Sequence, residues 1–118
     1  MVLVAFGRGV DVGTDVQKIA ECPDYMEIAR NFYTAAEFDD VRKDNGLETF
    51  FEYWAAKEAY LKAVGIGLSR GMDFFSVKGG VIKENGMEKQ DWSLIPVRIE
   101  GYAAFAAICE KGEGKNGI

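Results

Sequence analysis

The sequence predicts an α+β domain in which one long helix packs across a largely antiparallel sheet. Three observations carry that reading. Apolar residues recur at helical spacing from Leu47 to Val64, and Gly65 closes the pattern. Residues alternate apolar and polar from Val10 to Gln17, as a half-buried strand requires. Two apolar runs, Trp92 to Ile99 and Tyr102 to Ile108, flank Glu100-Gly101 and read as a hairpin whose second arm is apolar enough to be central. The full order is β-β-α-α-α-β-β-β. A chain of 118 residues makes one domain, assigned to residues 1–110, with a flexible tail at 111–118.

Each element has a local cause. Met1 to Phe6 is a short apolar run that reads as a buried strand, and Gly7-Arg8-Gly9 supplies the turn after it. In the strand that follows, Val10, Val12, Thr14 and Val16 share one face, while Asp11, Gly13, Asp15 and Gln17 share the other. The bland account of the polar face is the solvated side of a two-layer sheet. Tyr25, Ile28, Ala29 and Phe32 after Pro23-Asp24 predict a helix over 24–33. Thr34 and Glu37 have the spacing of a capping box, which starts a second short helix. Asp44-Asn45-Gly46 breaks it, and the long helix begins. Beyond Arg70 the pattern turns to strands: Phe74 to Ile82, interrupted by Gly79-Gly80, then a turn at Glu84-Asn85-Gly86.

The long helix carries the chemistry. Advancing about 100° per residue puts Leu47, Phe50, Phe51, Trp54 and Leu61 on one face, with Glu58 in the middle of that stripe. A carboxylate there must lose its charge or find a cation. Lys57 and Lys62 border the same face on opposite sides, Lys62 one turn beyond Glu58. Two readings stay open: an ion pair that only holds the helix down, or a functional carboxylate. If the helix packs on the polar face of the Val10–Gln17 strand, Asp15 and Glu58 converge beside the two lysines. One or two carboxylates with open positions is what Mg²⁺ accepts from protein, and lysines nearby would hold phosphate as point charges.

Composition narrows the alternatives. The chain has no histidine, which removes the usual general base and every Ser-His or Cys-His nucleophile. Cys22 and Cys109 are far apart and lack a metal-binding spacing, so both are expected as reduced thiols. A net charge of -5 argues against nucleic acid as a partner. The charge is uneven, however: acids dominate from Asp24 to Glu48 and bases from Lys57 to Lys83, which leaves room for a local basic surface facing phosphate or an acidic partner. No apolar run is long enough to span a bilayer, and the expected location is the cytoplasm, without a membrane partner.

Several blocks, in order, are familiar: G-T-D-V-Q-K-I (Gly13 to Ile19), N-F-Y-T-A-A-E (Asn31 to Glu37) and F-x-x-W-A-A-K-E-A-Y-L-K-A-V-G-I-G-L (Phe51 to Leu68). Together with the V-L-V-A-F start and the G-Y-A-A-F-A-A strand, they resemble the 4'-phosphopantetheinyl transferases over nearly everything before the tail. The resemblance implies Mg²⁺-dependent transfer of the phosphopantetheine arm of coenzyme A to a serine of an apo acyl or peptidyl carrier protein, with release of 3',5'-ADP. It implies further that Asp15 and Glu58 hold the metal, that Glu58 helps deprotonate the serine, that Lys62 binds phosphate and that Lys57 assists.

Two features depart from the family pattern. The long, surfactin-synthetase-activating type usually has an acid where Gln17 stands; the amide can offer a metal an oxygen but no charge. The motifs match that long type, built from two similar halves, yet the chain has the length of one half and of the short, acyl-carrier-protein-synthase type. The expectation is that identical chains complete the site, a homotrimer being preferred. The alternative is a noncatalytic half-domain that binds coenzyme A or pairs with another subunit.

Overall fold

The computed structural model describes residues 11–43, 46–65 and 71–110. The expected Met1–Phe6 strand, the Gly7-Arg8-Gly9 turn, the Ile66–Leu68 exit from the long helix and the tail at 111–118 lie outside the described residues. Within them the order is β1 (Asp11–Lys18), α1 (Tyr25–Phe32), α2 (Ala35–Lys43), α3 (Gly46–Val64), β2 (Phe75–Ser76), β3 (Lys83–Glu84), β4 (Met87–Glu88), β5 (Trp92–Pro96) and β6 (Tyr102–Cys109). The main sheet runs β1-β6-β5, antiparallel throughout, with β6 central as its apolar sequence requires. A small second sheet joins β2, β3 and β4. The mixed helical and antiparallel architecture is the α+β class expected.

Local signals hold where they are strong. Thr34 and Glu37 form the capping box: the Glu37 N–H donates to Thr34 Oγ1 (3.2 Å) and the Thr34 N–H to Glu37 Oε1 (3.0 Å). Asn85 and Gly86, with φ of 54° and 77°, form the two-residue loop between β3 and β4. The run from Phe74 to Ile82 does not form a continuous strand. Gly79 and Gly80 both take positive φ, so β2 stops at Ser76 and a 3-10 turn, Lys78–Gly80, follows. β5 likewise stops at Pro96, short of Ile99; one further backbone bond, from the Val97 N–H to the Ala104 carbonyl at 2.9 Å, and an isolated bridge between Ile99 and Tyr102 follow.

The position of α3 on the sheet decides the site. Gly13 of β1 faces α3 so closely that a Cβ there would stand 2.2 Å from the Ala59 carbonyl oxygen and 2.4 Å from the Ala63 nitrogen. Ala107, the Gly13 partner on β6, is fully buried at the same seam. Small residues on both sides let helix and strand backbones touch. By alternation Asp15 and Gln17 share the Gly13 face, so the helix covers the polar face of β1 rather than leaving it to solvent, while Val12 and Val16 on the other face stay partly exposed. Around the seam a core of Tyr60, Leu61, Met72, Phe75 and Ile82 gathers, with Tyr60 against Phe75 of the small sheet, while Phe50 packs on Tyr25 and Tyr33 at the other end of α3. Among the described residues no helix is long and apolar enough to cross a membrane, and no disulfide joins Cys22 to Cys109.

Candidate active site

Asp15 is brought to α3 by the Gly13 contact two residues earlier. Its carboxylate is only 7% exposed, and both oxygens are engaged. The Lys62 ammonium donates to Oδ1 at 2.7 Å, and the Gln17 side-chain amide donates from Nε2 to Oδ2 at 2.9 Å. The Lys62 side chain is 53% exposed, so its charged end meets the buried acid while its stem stays at the surface. Glu58 lies one helical turn before Lys62, partly buried. Burial raises the Glu58 pKa above the ordinary glutamate range, repulsion from Asp15 raises it further, and Lys62 opposes both. Three of the expected site residues, Asp15, Glu58 and Lys62, therefore form one electrostatic group, with Gln17 hydrogen-bonded to it.

Lys57, expected close enough to assist at the phosphate, is not part of this group: its ammonium is turned to Glu37. The face of α3 that the fold buries holds Phe50, Lys57, Tyr60 and Leu61, while Leu47, Phe51, Trp54 and Glu58 stay partly exposed, so the buried side is turned toward Lys57 from the stripe that helical spacing marks. The residue wholly removed from water is the lysine. Its Nζ donates to Glu37 Oε1 (2.8 Å), to the Met72 carbonyl (2.7 Å) and to the Phe75 carbonyl (2.5 Å), with the Phe75 ring 4.2 Å away. An ammonium has three N–H groups, and here all are used. Burial lowers the Lys57 pKa, against the pull of Glu37.

Glu37 is the residue that sequence reasoning undervalued. The capping box was legible, but the carboxylate serves three elements at once: it caps α2, pairs with Lys57 of α3, and accepts the Val77 N–H at 2.6 Å. A lysine in line with Phe50 and Leu61 was the available signal, since a cation on a core stripe demands a buried anion.

The Asp15 group can hold a divalent cation. Two carboxylates and one amide oxygen are hard oxygen donors of the kind Mg²⁺ takes, and the remaining positions would fall to water and phosphate. Gln17 now points its amide nitrogen at Asp15, so its oxygen becomes a ligand only when the amide turns over. Among the described residues there is no group of three or more histidine, cysteine, aspartate or glutamate side chains, which limits the charged ligands to these two. A separate groove of about 680 Å³, lined by Glu84, Met87, Trp92 and Cys109 at the far end of β6, includes none of them.

The chain is 28% identical over 127 residues to mouse L-aminoadipate-semialdehyde dehydrogenase-phosphopantetheinyl transferase, covering 89% of this chain and 41% of that protein. It is 36% identical over 70 residues to the 4'-phosphopantetheinyl transferase Sfp of Bacillus subtilis strain 168, covering 57% of this chain and 30% of that protein. The chain thus spans less than half the length of these relatives. The fold is similar to that of the Thermotoga maritima holo-[acyl-carrier-protein] synthase, with a TM-score of 0.64 at 19% identity over 86% of this chain and 64% of that one. It is equally similar to the Bacillus anthracis holo-(acyl-carrier-protein) synthase solved with CoA (3',5'-ADP), TM-score 0.64 at 18% identity over 86% and 96% of the two chains. Because a family model described as the 4'-phosphopantetheinyl transferase superfamily matches residues 11–107, the chain belongs to that superfamily.

Proposed function

We propose that this domain transfers the 4'-phosphopantetheine group of coenzyme A to a serine hydroxyl of an apo carrier protein, in a Mg²⁺-dependent reaction that releases 3',5'-ADP. The observation that carries the proposal is the meeting of Asp15, Glu58 and Lys62 where β1 crosses α3. Serine oxygen attacks the phosphorus that bears the pantetheine arm. The new P–O bond forms as the bond to the 3',5'-ADP oxygen breaks, the serine proton passes to Glu58 directly or through water, and 3',5'-ADP leaves with the electron pair. Lys62 neutralises phosphate charge; Lys57, with its donors already engaged, fixes the helix instead. Mg²⁺ held by Asp15, Glu58 and, after its amide turns, Gln17 would neutralise charge on the pyrophosphate.

The reading extends to a cytoplasmic setting and to self-association, a trimer being preferred. A second reading is a noncatalytic half-domain that binds coenzyme A or pairs with another subunit. The amide at Gln17, which turns its nitrogen to Asp15, favours it. The two separate in one experiment. Incubating the purified chain with Mg²⁺, coenzyme A and apo carrier protein should add one phosphopantetheine mass to the carrier, with the loss of that product in Glu58→Ala. An unmodified carrier beside measurable coenzyme A binding would establish the half-domain instead.

A further inference from the structure

We infer that Lys62 is a built-in competitor for the divalent cation: it is the resident counter-ion of Asp15 and must give up that carboxylate before a metal can use it. The inference rests on the metal-dependent reading above and deepens it. A carboxylate as buried as Asp15 cannot stay charged without a partner, and the direct cation partner here is the Lys62 ammonium at 2.7 Å from Oδ1. The second oxygen is held by Gln17, whose amide can turn in place. A lysine instead has to leave, because an ammonium has no lone pair to offer a cation and repels it.

Lys62 is built to leave. Its side chain is half exposed, its single hydrogen bond among the described residues is to Asp15, and its four-carbon stem can swing into solvent without opening the core. Lys57 on the same helix shows the opposite arrangement, with three acceptors and no exposed surface. Glu58 adds to the asymmetry, since one ammonium now serves two carboxylates and a dication would supply both charges. Once displaced, the ammonium is one turn from Glu58 and available to a phosphate. Cation and phosphate binding are then coupled through one side chain, and the coupling is reciprocal.

The test is binding of Mn²⁺, as the probe for a divalent cation, to the purified chain without nucleotide, read by the electron paramagnetic resonance of free Mn²⁺. Lys62→Met should bind Mn²⁺ about two- to fivefold more tightly than the unmodified chain, the release expected from removing one partly exposed competing charge. Lys62→Gln keeps a hydrogen-bond donor for Asp15, protects the fold, and should show the same gain. Lys62→Arg should restore the original affinity. Equal or weaker Mn²⁺ binding in the folded Met and Gln variants overturns the competition. If instead Asp15→Asn leaves Mn²⁺ binding unchanged, or neither the unmodified chain nor the Met variant binds Mn²⁺, the metal reading of the site fails, and the inference with it.

Discussion

Among the described residues two lysine–carboxylate pairs join α3 to the rest of the molecule, and they differ in nearly everything except chemistry. In the core, Lys57 meets Glu37 at 2.8 Å with neither side chain exposed. At the edge, Lys62 meets Asp15 at 2.7 Å with its own side chain 53% exposed and the acid 7%. The first pair is satisfied on all sides, by two carbonyls on the lysine and by two backbone N–H groups on the glutamate. The second leaves donors on the lysine turned to solvent and a half-buried Glu58 alongside. Five residues on one helix thus separate a structural tie from a group that can exchange partners. The distance between charges does not distinguish them; what each charge has left over does.

Substitutions on the two pairs should therefore fail in different measurements. The largest effect is expected at the edge: Glu58→Ala should lower kcat/KM for carrier modification by roughly 10²- to 10⁴-fold, the range for a lost general base, while the thermal midpoint barely moves. A similar collapse of the midpoint would erase the distinction between the regions. In the core, Lys57→Ala leaves the Glu37 carboxylate buried without its cation and should cost about 3–5 kcal/mol in urea denaturation. The double change Lys57→Met with Glu37→Gln should recover part of that loss, because it removes both buried charges together.

Gly13→Ala sharpens the comparison from the other side of the seam. The added methyl would stand 2.2 Å from the Ala59 oxygen and must push β1 off α3, at about 1–3 kcal/mol for overpacking. It should also weaken metal binding more than a Lys57 substitution of equal cost, since it moves Asp15 away from Lys62 and Glu58. The smallest effect concerns pH. The folded pKa of Glu58 lies above its unfolded value, so the native state binds the extra proton between the two and Glu58 lowers stability as pH rises through that window. Glu58→Gln should accordingly be slightly more stable than the parent near neutral pH, with the difference vanishing below the ordinary glutamate range. A difference that instead grew on acidification would reverse the assigned cause.

Much of the fold was legible because its causes are local. Thr34 and Glu37 are three residues apart, Asn85-Gly86 can form the β3–β4 turn unaided, and the apolar run of β6 calls for a central place whatever surrounds it. The Phe74–Ile82 stretch misled because an apolar run with two glycines is equally compatible with a strand and with the left-handed turn that Gly79 and Gly80 adopt. At the site, Asp15 and Glu58 were named from the residues, but their meeting depended on which face of β1 received the helix. Alternation distinguishes the faces without saying which is inside, and here the polar face was covered, through Gly13 against Ala59 and Ala63.

The amino-acid order by itself determined the helices, the Thr34–Glu37 capping box, the β3–β4 and β5–β6 hairpins and the short roster of charged residues able to do chemistry in a chain without histidine. Tertiary structure alone decided which lysine serves the core and which the site. Helical spacing sets the angle between Lys57 and Lys62 but not the location of their partners, and Glu37 and Asp15 come from segments 20 and 47 residues away. A charge is committed or available according to what is packed against it, and packing across such separations is a property of the assembled fold.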